Sequence, residues 1–373
     1  MIYADHAATT QLDAEAFEAM RPFLTEQYGN ASQPYSFARV GKKALDIARE
    51  KIACCIGADP DEIYFTSGGT ESDNWAIKCG AGRQGGIITS SIEHHAVLNA
   101  CRREEAHGRT VKYLPVSAEG VVEPSELAAQ MSSDTSLVSI MFANNEIGSI
   151  QPVEVLVKTA HQSYALFHTD AVQAAGHVPL DAHGLDVDLL SASAHKFNGP
   201  KGTGFLYIKR GIPIDPFMDG GSQERGRRAG TENVAGIVAM AYALEKNCAE
   251  MAENEKKLKE LEEVVIRGLE QSGVDYRRNG SSRRIPGNMS LSFAHAEGEM
   301  ILHRLDLKGI CISTGSACDS VNTEISHVIK AIGVPKKYAE GTVRISFGKD
   351  NSISDAEKIV KELVNIVKRA ALL

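Results

Sequence analysis

Between about Asp61 and Lys209, short β-rich runs alternate with helix-compatible stretches, and nothing else in this 373-residue chain constrains its fold as tightly. The strand-like runs are Glu62–Phe65, Gly86–Thr89, Val111–Pro115, Leu137–Phe142, Ala165–Thr169, Leu189–Ser193 and Gly204–Ile208. Helix-like stretches fall between them at Glu71–Cys79, His95–Glu105, Pro124–Met131 and Val153–Ser163, while Asp181–Asp188 reads as a loop. Strands separated by helices form βαβ units, whose crossovers lay the strands parallel with helices on the faces. The expected class is α/β: a large domain with a mostly parallel seven-stranded sheet flanked by helices.

A helix-compatible stretch follows from Val234 to Gln271, with charges concentrated at Glu253–Lys257. Such a run ordinarily marks a solvated helix face, and its midpoint is the expected domain boundary. Beyond it, Met289–Phe293, Gly309–Ser313 and Thr342–Phe347 read as strands, and Glu297–Leu305, Glu324–Ile332 and Ser354–Ala371 as helices. These form a smaller α+β domain. At 43% hydrophobic the chain can fill two cores.

The net charge of −8 argues against general nucleic-acid binding. Met1-Ile2-Tyr3-Ala4-Asp5-His6 turns polar too soon for a secretion signal, and no apolar run reaches membrane-spanning length. A soluble, cytoplasmic protein without membrane contact is expected. Seven cysteines are scattered without a C-x-x-C, so neither structural zinc nor a disulfide framework is indicated, and no metal is expected. Cys54 and Cys55, in the helix-like stretch Lys42–Ile56, suit small buried hydrophobes. Cys318 does not.

Lys196 carries the first chemical signal. It ends Ser191-Ala192-Ser193-Ala194-His195-Lys196, where a strand opens into the loop Phe197–Gly204, a place suited to a Schiff-base lysine. Asp170 and Gln173 follow the preceding strand. An amine for an imine and a carboxylate for a ring nitrogen are what pyridoxal phosphate (PLP) asks of a protein. Ser67-Gly68-Gly69-Thr70 lies between a strand and a helix start, where free amides attract anions, although many such turns merely connect elements. His94 follows another strand, either as an ordinary helix-start histidine or as a ring to stack on a flat cofactor. Asn144-Asn145-Glu146 offers amides at a further strand end. Ligands of open α/β sheets gather beyond the carboxyl ends of the strands, and unrelated loops would rarely place polar residues there so consistently.

Three features lie outside the sheet. Gly220–Asn233 is Gly- and Arg-rich, either a surface loop or an ordered anion-binding loop whose Thr231 reaches a phosphate. Ile312–Cys318 ends a strand in small residues and presents a thiol suited to nucleophilic chemistry. Arg344 places a guanidinium within a strand, for a substrate carboxylate or for a structural ion pair.

Together these segments resemble the cysteine desulfurases of the NifS/IscS type, within the class V aminotransferase family of fold-type I PLP enzymes. The resemblance runs from Tyr3-Ala4-Asp5-His6-Ala7-Ala8-Thr9-Thr10 to Arg344. It is most specific at Ser67–Asn74, Asp170-Ala171-Val172-Gln173, Ala194-His195-Lys196, Gln223–Asn233 and Ser316-Ala317-Cys318. It implies the PLP-dependent transferase fold, with residues 13–253 as the large PLP-binding domain and 1–12 with 254–373 as the small domain. It implies PLP on Lys196, Asp170 at the ring nitrogen, Gln173 near the ring oxygen and His94 stacked on the ring. Gly69, Thr70, Ser193 and His195 would hold the phosphate, joined by Thr231 from the other subunit of a homodimer. Asn145 and Arg344 would orient L-cysteine. Lys196, His94 and Cys318 would be catalytic, Cys318 taking sulfur as a persulfide for an acceptor such as an iron–sulfur scaffold.

Two departures from the family pattern stand out. Thr323-Glu324-Ile325-Ser326 replaces a Leu-Glu-Pro-Ser sequence, which bears on how the next helix starts. His6 stands where many relatives carry asparagine, near the expected site entrance. The rival readings are a selenocysteine lyase or other PLP-dependent β-eliminase, which needs no second nucleophile, and a non-catalytic scaffold in sulfur trafficking, which has no use for Lys196, Asp170 and His94. A nicotinamide dehydrogenase is disfavoured because no G-x-G-x-x-G follows the first strand of a βαβ unit.

Overall fold

The computed structural model describes residues 1–80, 85–315 and 325–370. The chain opens with β1 (Ile2–Tyr3), α1 (Ala14–Thr25) and α2 (Ser36–Cys55). The alternating region follows as β2 (Ile63–Thr66), α3 (Gly69–Cys79), β3 (Gly86–Ser90), α4 (His95–Ala106), β4 (Val111–Leu114) and α5 (Pro124–Gln130). It continues with β5 (Thr135–Ser139), α6 (Val153–His161), β6 (Leu166–Asp170), α7 (Ala182–Leu185), β7 (Leu189–Ser193) and β8 (Gly204–Ile208). After the long α8 (Val234–Ser272) come β9 (Tyr276–Asn279), β10 (Asn288–Phe293), α9 (Gly298–Asp306), β11 (Ile310–Cys311) and α10 (His327–Ala331). The last elements are α11 (Lys336–Ala339), β12 (Thr342–Ser346) and α12 (Ile353–Ala370).

The expected seven strands form one sheet in the order β2-β8-β7-β6-β5-β3-β4. Pairing is parallel from β7 through β4 and antiparallel on both sides of β8, so β8 alone runs against the rest. The carboxyl ends Thr66, Ser90, Ser139, Asp170 and Ser193 therefore share one edge. All residues of β2, β3, β7 and β8 are buried, as strands covered on both faces require.

α8 runs through two cores. Its buried residues up to Asn247 include Ile237, Met240 and Leu244, which join the core around the large sheet. From Leu258 onward, Leu258, Leu261, Val265 and Leu269 belong to a second core with Ile2, Ala4, Met289, Phe293, Val343 and Ile345. No residue from Cys248 to Lys257 is buried, and the Glu253–Lys257 charges fall in that solvated interval. α12 completes the second core with Ala356, Ile359, Leu363, Ile366 and Val367, whose spacing sets one face of the helix against it. β10 sits between β12 and β9, and β1 pairs with β11 in parallel, so the chain's start joins the core of its final third.

Several boundaries differ from expectation. The expected loop at Asp181–Asp188 contains α7, because the Asp181 side chain accepts a hydrogen bond from the Gly184 amide and caps it. β9 has no apolar alternation to announce it; it is an edge strand held by its ladder with β10. The expected strand Gly309–Ser313 shrinks to Ile310–Cys311. α10 begins at His327, since Ser326 accepts from the Val328 amide at 3.0 Å and acts as its cap. Glu324, the helix start expected from the sequence, lies outside the described residues.

Candidate active site

The turn from β2 to α3 is shaped by its glycines. Gly68 has φ +149° and ψ −177°, a conformation essentially confined to glycine. A Cβ on Gly204 would stand 2.6 Å from the Gly68 Cα and 2.5 Å from the Ala192 carbonyl oxygen. β8 and the turn can touch only because both residues lack side chains. The Ser72 hydroxyl holds the turn, donating to the Gly68 and Phe205 carbonyls at 3.2 and 3.1 Å. The α3 amino terminus, with Gly69 and Thr70, consequently opens onto the carboxyl edge of the sheet.

Residues from five strand ends line one cavity of about 530 Å³ there: Gly69 and Thr70, His94, Asn145, Asp170 with Gln173, and Ser193 with His195 and Lys196. Arg344 closes it from β12. Cofactor pockets typically span about 300–1,000 Å³. Ten of the residues singled out by sequence therefore come together here. Thr231 does not: it is exposed and does not line the cavity. Cys318 lies outside the described residues.

Lys196 ends a single 3-10 turn, Ala194–Lys196, directly after β7. Its ammonium donates to the Ala7 and Ala8 carbonyls at 2.6 and 2.8 Å. The Gln173 amide also donates to the Ala7 carbonyl, at 3.0 Å. The N-terminal segment is thereby a wall of the cavity, and Thr9 reaches His195 Nδ1 at 3.1 Å. Ala7, Ala8 and Thr9 carry no chemical signal of their own, so the sequence offers only the Tyr3–Thr10 resemblance as a hint.

Asp170 is buried, and its Oδ1 accepts the Val172 amide at 2.9 Å. Burial raises its pKa to about 6 despite that hydrogen bond and the Lys196 charge. Asp73, which also lines the cavity, is pushed well above the usual carboxylate range by burial and by the Asp170 charge. Asp73 has no chemical signal of its own in the sequence beyond its place in the Ser67–Asn74 family segment. His94 caps α4, its Nδ1 accepting the Ala96 amide at 3.1 Å, so the proton of the neutral ring sits on Nε2. Burial, then the Lys196 charge, push its pKa down to about 4. His195 is lowered to about 4, again chiefly by burial. Beside His94, the buried Glu93 accepts the Ser90 hydroxyl at 2.5 Å and the Met141 amide at 3.0 Å, tying the ends of β3 and β5 together.

Arg344 is 2% exposed. Its Nη1 donates to the Asn145 carbonyl at 3.0 Å and its Nη2 to Asp5 Oδ1 at 2.6 Å. Its buried Nε has no acceptor among the described residues. His6 does not line this cavity; its ring meets Tyr3 edge-on, with centroids 5.0 Å apart, and lies against Gly348. The Gly- and Arg-rich segment is anchored. Glu224 receives both Arg49 nitrogens at 2.9 and 2.7 Å and the Phe65 amide at 2.9 Å. Arg225 stacks 3.9 Å from the Tyr64 ring centroid, and Arg228 grips Glu71 at 2.7 and 3.1 Å.

Comparison with known proteins places these features in a lineage. The profile of the aminotransferase class-V family matches residues 2–359. The cysteine desulfurase IscS of Methanosarcina thermophila is 48% identical over 99% of this chain and 92% of its own. A solved NifS-like protein superposes with a TM-score of 0.93 at 39% identity, covering 99% of both chains. A structure of SspA in complex with cysteine superposes with a TM-score of 0.83 at 32% identity, covering 93% of this chain and 99% of that one. With its sheet, its lysine-centred cavity and these full-length likenesses, the chain belongs to the class-V aminotransferase family, among the NifS/IscS-type cysteine desulfurases.

Proposed function

We propose that this protein is a PLP-dependent cysteine desulfurase, converting L-cysteine to L-alanine while Cys318 receives the sulfur as a persulfide. The observation that carries the reading is the convergence of Lys196, Asp170, His94 and the α3 amino terminus on one cavity. The cysteine bound by the related SspA supports the substrate. The cavity's donor set fits PLP. A buried carboxylate whose pKa is raised by burial calls for a cationic partner, which a protonated ring nitrogen is. The Gly69–Thr70 amides, Ser193 and His195 suit the phosphate, and Gln173 suits the ring oxygen. When bound through Lys196, PLP supplies an electron sink for the substrate's Cα.

With PLP held there, the Lys196 amine would be the base that moves the substrate's Cα proton. Asp170 would face the ring nitrogen and keep it protonated. His94, neutral with its hydrogen on Nε2, would stack on the ring and help move protons beside it. The Arg344 guanidinium takes the substrate carboxylate, and Asn145 orients the substrate beside it. The Cys318 thiolate then attacks the substrate sulfur. An S–S bond forms, the Cβ–S bond breaks, and its electron pair, with a proton, completes the alanine methyl group. The persulfide passes to an acceptor protein such as an iron–sulfur scaffold.

The division into residues 13–253 and 1–12 with 254–373 is supported by the change of core along α8 between Asn247 and Leu258. A homodimer is supported by exposed apolar side chains on α1 and α2 and between them, Phe17, Leu24, Tyr28, Tyr35, Phe37, Val40 and Ile47. A second copy would cover them and bring its Thr231 to the phosphate. The test is alanine release from L-cysteine with one sulfur atom's mass gained on Cys318. Lys196→Ala should abolish both, along with the yellow cofactor absorbance. Full sulfur release by Cys318→Ala would favour the β-eliminase instead.

A further inference from the structure

We infer that Glu146 is a positioning residue that clamps together the two ends of the segment carrying Cys318. The inference rests on the reading of Cys318 as the sulfur-accepting nucleophile. Glu146 follows Asn144 and Asn145 beyond β5 and is 2% exposed. Its backbone is locked: the Glu146 and Ile147 amides donate to Asn144 Oδ1 at 2.8 and 3.0 Å, and Asn144 Nδ2 donates to the Ile92 carbonyl at 2.8 Å. The Glu146 Cα is thereby tied to the strand ends that bear His94.

One oxygen of this carboxylate meets both ends of the segment. Glu146 Oε2 accepts the Ser326 hydroxyl at 2.6 Å. A Cβ on Gly315 would stand 3.1 Å from the same oxygen and 3.6 Å from the Ser326 Cβ. Gly315, at φ +125°, passes this close because it has no side chain. Gly315 is the last described residue before Cys318, and Ser326 caps the first helix after it. Gly315 and Ser326 therefore both lie beside one carboxylate oxygen, which bonds Ser326 and leaves no room for a side chain on Gly315.

That carboxylate is coupled to the substrate corner. Asn145, its neighbour, gives its carbonyl to Arg344 at 3.0 Å. Ser313, two residues before Gly315, exchanges backbone hydrogen bonds with Arg344 at 3.1 and 2.6 Å, and its hydroxyl donates to the Gly315 carbonyl at 3.1 Å. The clamp and the guanidinium thus belong to one bonded unit. Fixing both ends of a tethered nucleophile raises its effective concentration at the reacting atom, and small misplacements are expensive in rate. The links to Arg344 run through the Asn145 carbonyl and the Ser313 backbone, so truncating the Glu146 side chain leaves them in place.

The test compares PLP-loaded wild type, Glu146→Ala and Glu146→Gln in three measurements: alanine turnover, bound-cofactor absorbance, and the cysteine concentration that half-saturates the absorbance change on substrate addition. Glu146→Ala should lower kcat roughly ten- to a hundredfold, the range that misplacement of a reacting group produces, with the other two readouts unchanged. Glu146→Gln keeps an oxygen for Ser326 and should retain most of the turnover. Ser326→Ala should fall in the same direction and Ser326→Thr should not. The Glu146→Ala/Ser326→Ala pair should be no slower than Glu146→Ala alone. The inference is overturned by wild-type turnover in Glu146→Ala, by a double variant slowed by the product of the two single effects, or by loss of cofactor or cysteine binding in step with kcat. Should Glu146→Ala not fold, the Ser326→Ala and Ser326→Thr comparison decides. A wild type that puts no sulfur on Cys318 would instead overturn the desulfurase reading, and the clamp with it.

Discussion

Arg344, buried, and Asp5, half-buried and 339 residues away, form an ion pair in which Nη2 donates to Oδ1 at 2.6 Å. The same guanidinium spends Nη1 on the Asn145 carbonyl. A substrate carboxylate must therefore be bound by a fork already oriented by two other oxygens. Lysine keeps the charge but has no planar fork to serve three acceptors. Arg344→Lys should reduce kcat/KM for L-cysteine about tenfold or more, chiefly through KM, with the cofactor absorbance retained; steady-state kinetics beside a spectrum will show it.

Asp170 and Asp73 burden the cofactor-free fold with two interacting buried carboxyls. Asp170→Asn removes one charge and keeps the acceptor for Val172. The cofactor-free variant should melt at a higher temperature than the cofactor-free wild type. Alanine turnover of the loaded variant should fall roughly 100-fold or more, as loss of a proton-holding group does. The opposed signs mark a residue kept for function at the expense of stability.

Glu93 provides a pH signature. Burial raises its pKa from 4.5 to about 8, so the folded state binds a proton that the unfolded chain releases. Its stabilising contribution is complete below pH 4.5 and is lost as pH rises through 8. Glu93→Gln should therefore gain on wild type in urea midpoint between pH 6 and pH 9, and denaturation curves at the two pH values measure that gain.

Gly204→Ala should damage the site from a distance. The added methyl would overlap the Ala192 carbonyl and the Gly68 backbone, neither of which can rotate away. Overpacking of this kind costs about 1–3 kcal/mol, and the phosphate-facing turn must shift to relieve it. Lower urea stability with reduced PLP retention after gel filtration is the expected result.

Glu224→Ala should release the Gly- and Arg-rich segment. It leaves the Arg49 guanidinium, 14% exposed at its side chain, without its carboxylate, and such losses cost about 3–5 kcal/mol when fully buried. Proteolysis between Gly220 and Asn233 should accelerate relative to wild type, which limited digestion will register.

Much of this site is legible one strand at a time. Asp170, Ser193 and Lys196 sit where apolar β-rich runs stop, and in a parallel sheet all such stops fall on one edge. That is why residues as far apart in the chain as Gly69 and Lys196 can be grouped without a structure, with His94 and Asn145 between them. Edge strand β9, rich in arginine, escapes the same logic because its partner, and not its pattern, makes it a strand. The Gly220–Asn233 segment looked equally like a surface loop, since nothing local tells that Arg49 and Tyr64 await it.

The sequence by itself determined the α/β class and the carboxyl-edge location of the cavity, and through its family motifs it singled out Lys196, Asp170 and Cys318. Only the tertiary structure decided that Ala7 and Ala8 face Lys196, that Asp5 holds Arg344, that Asp73 burdens Asp170, and that Glu146 bonds Ser326 beside Gly315. The physical reason is one of range. Periodicity and turn chemistry are set within a few residues, whereas these contacts depend on strand order and on a β1–β11 pairing that carries the chain's start across to its last third.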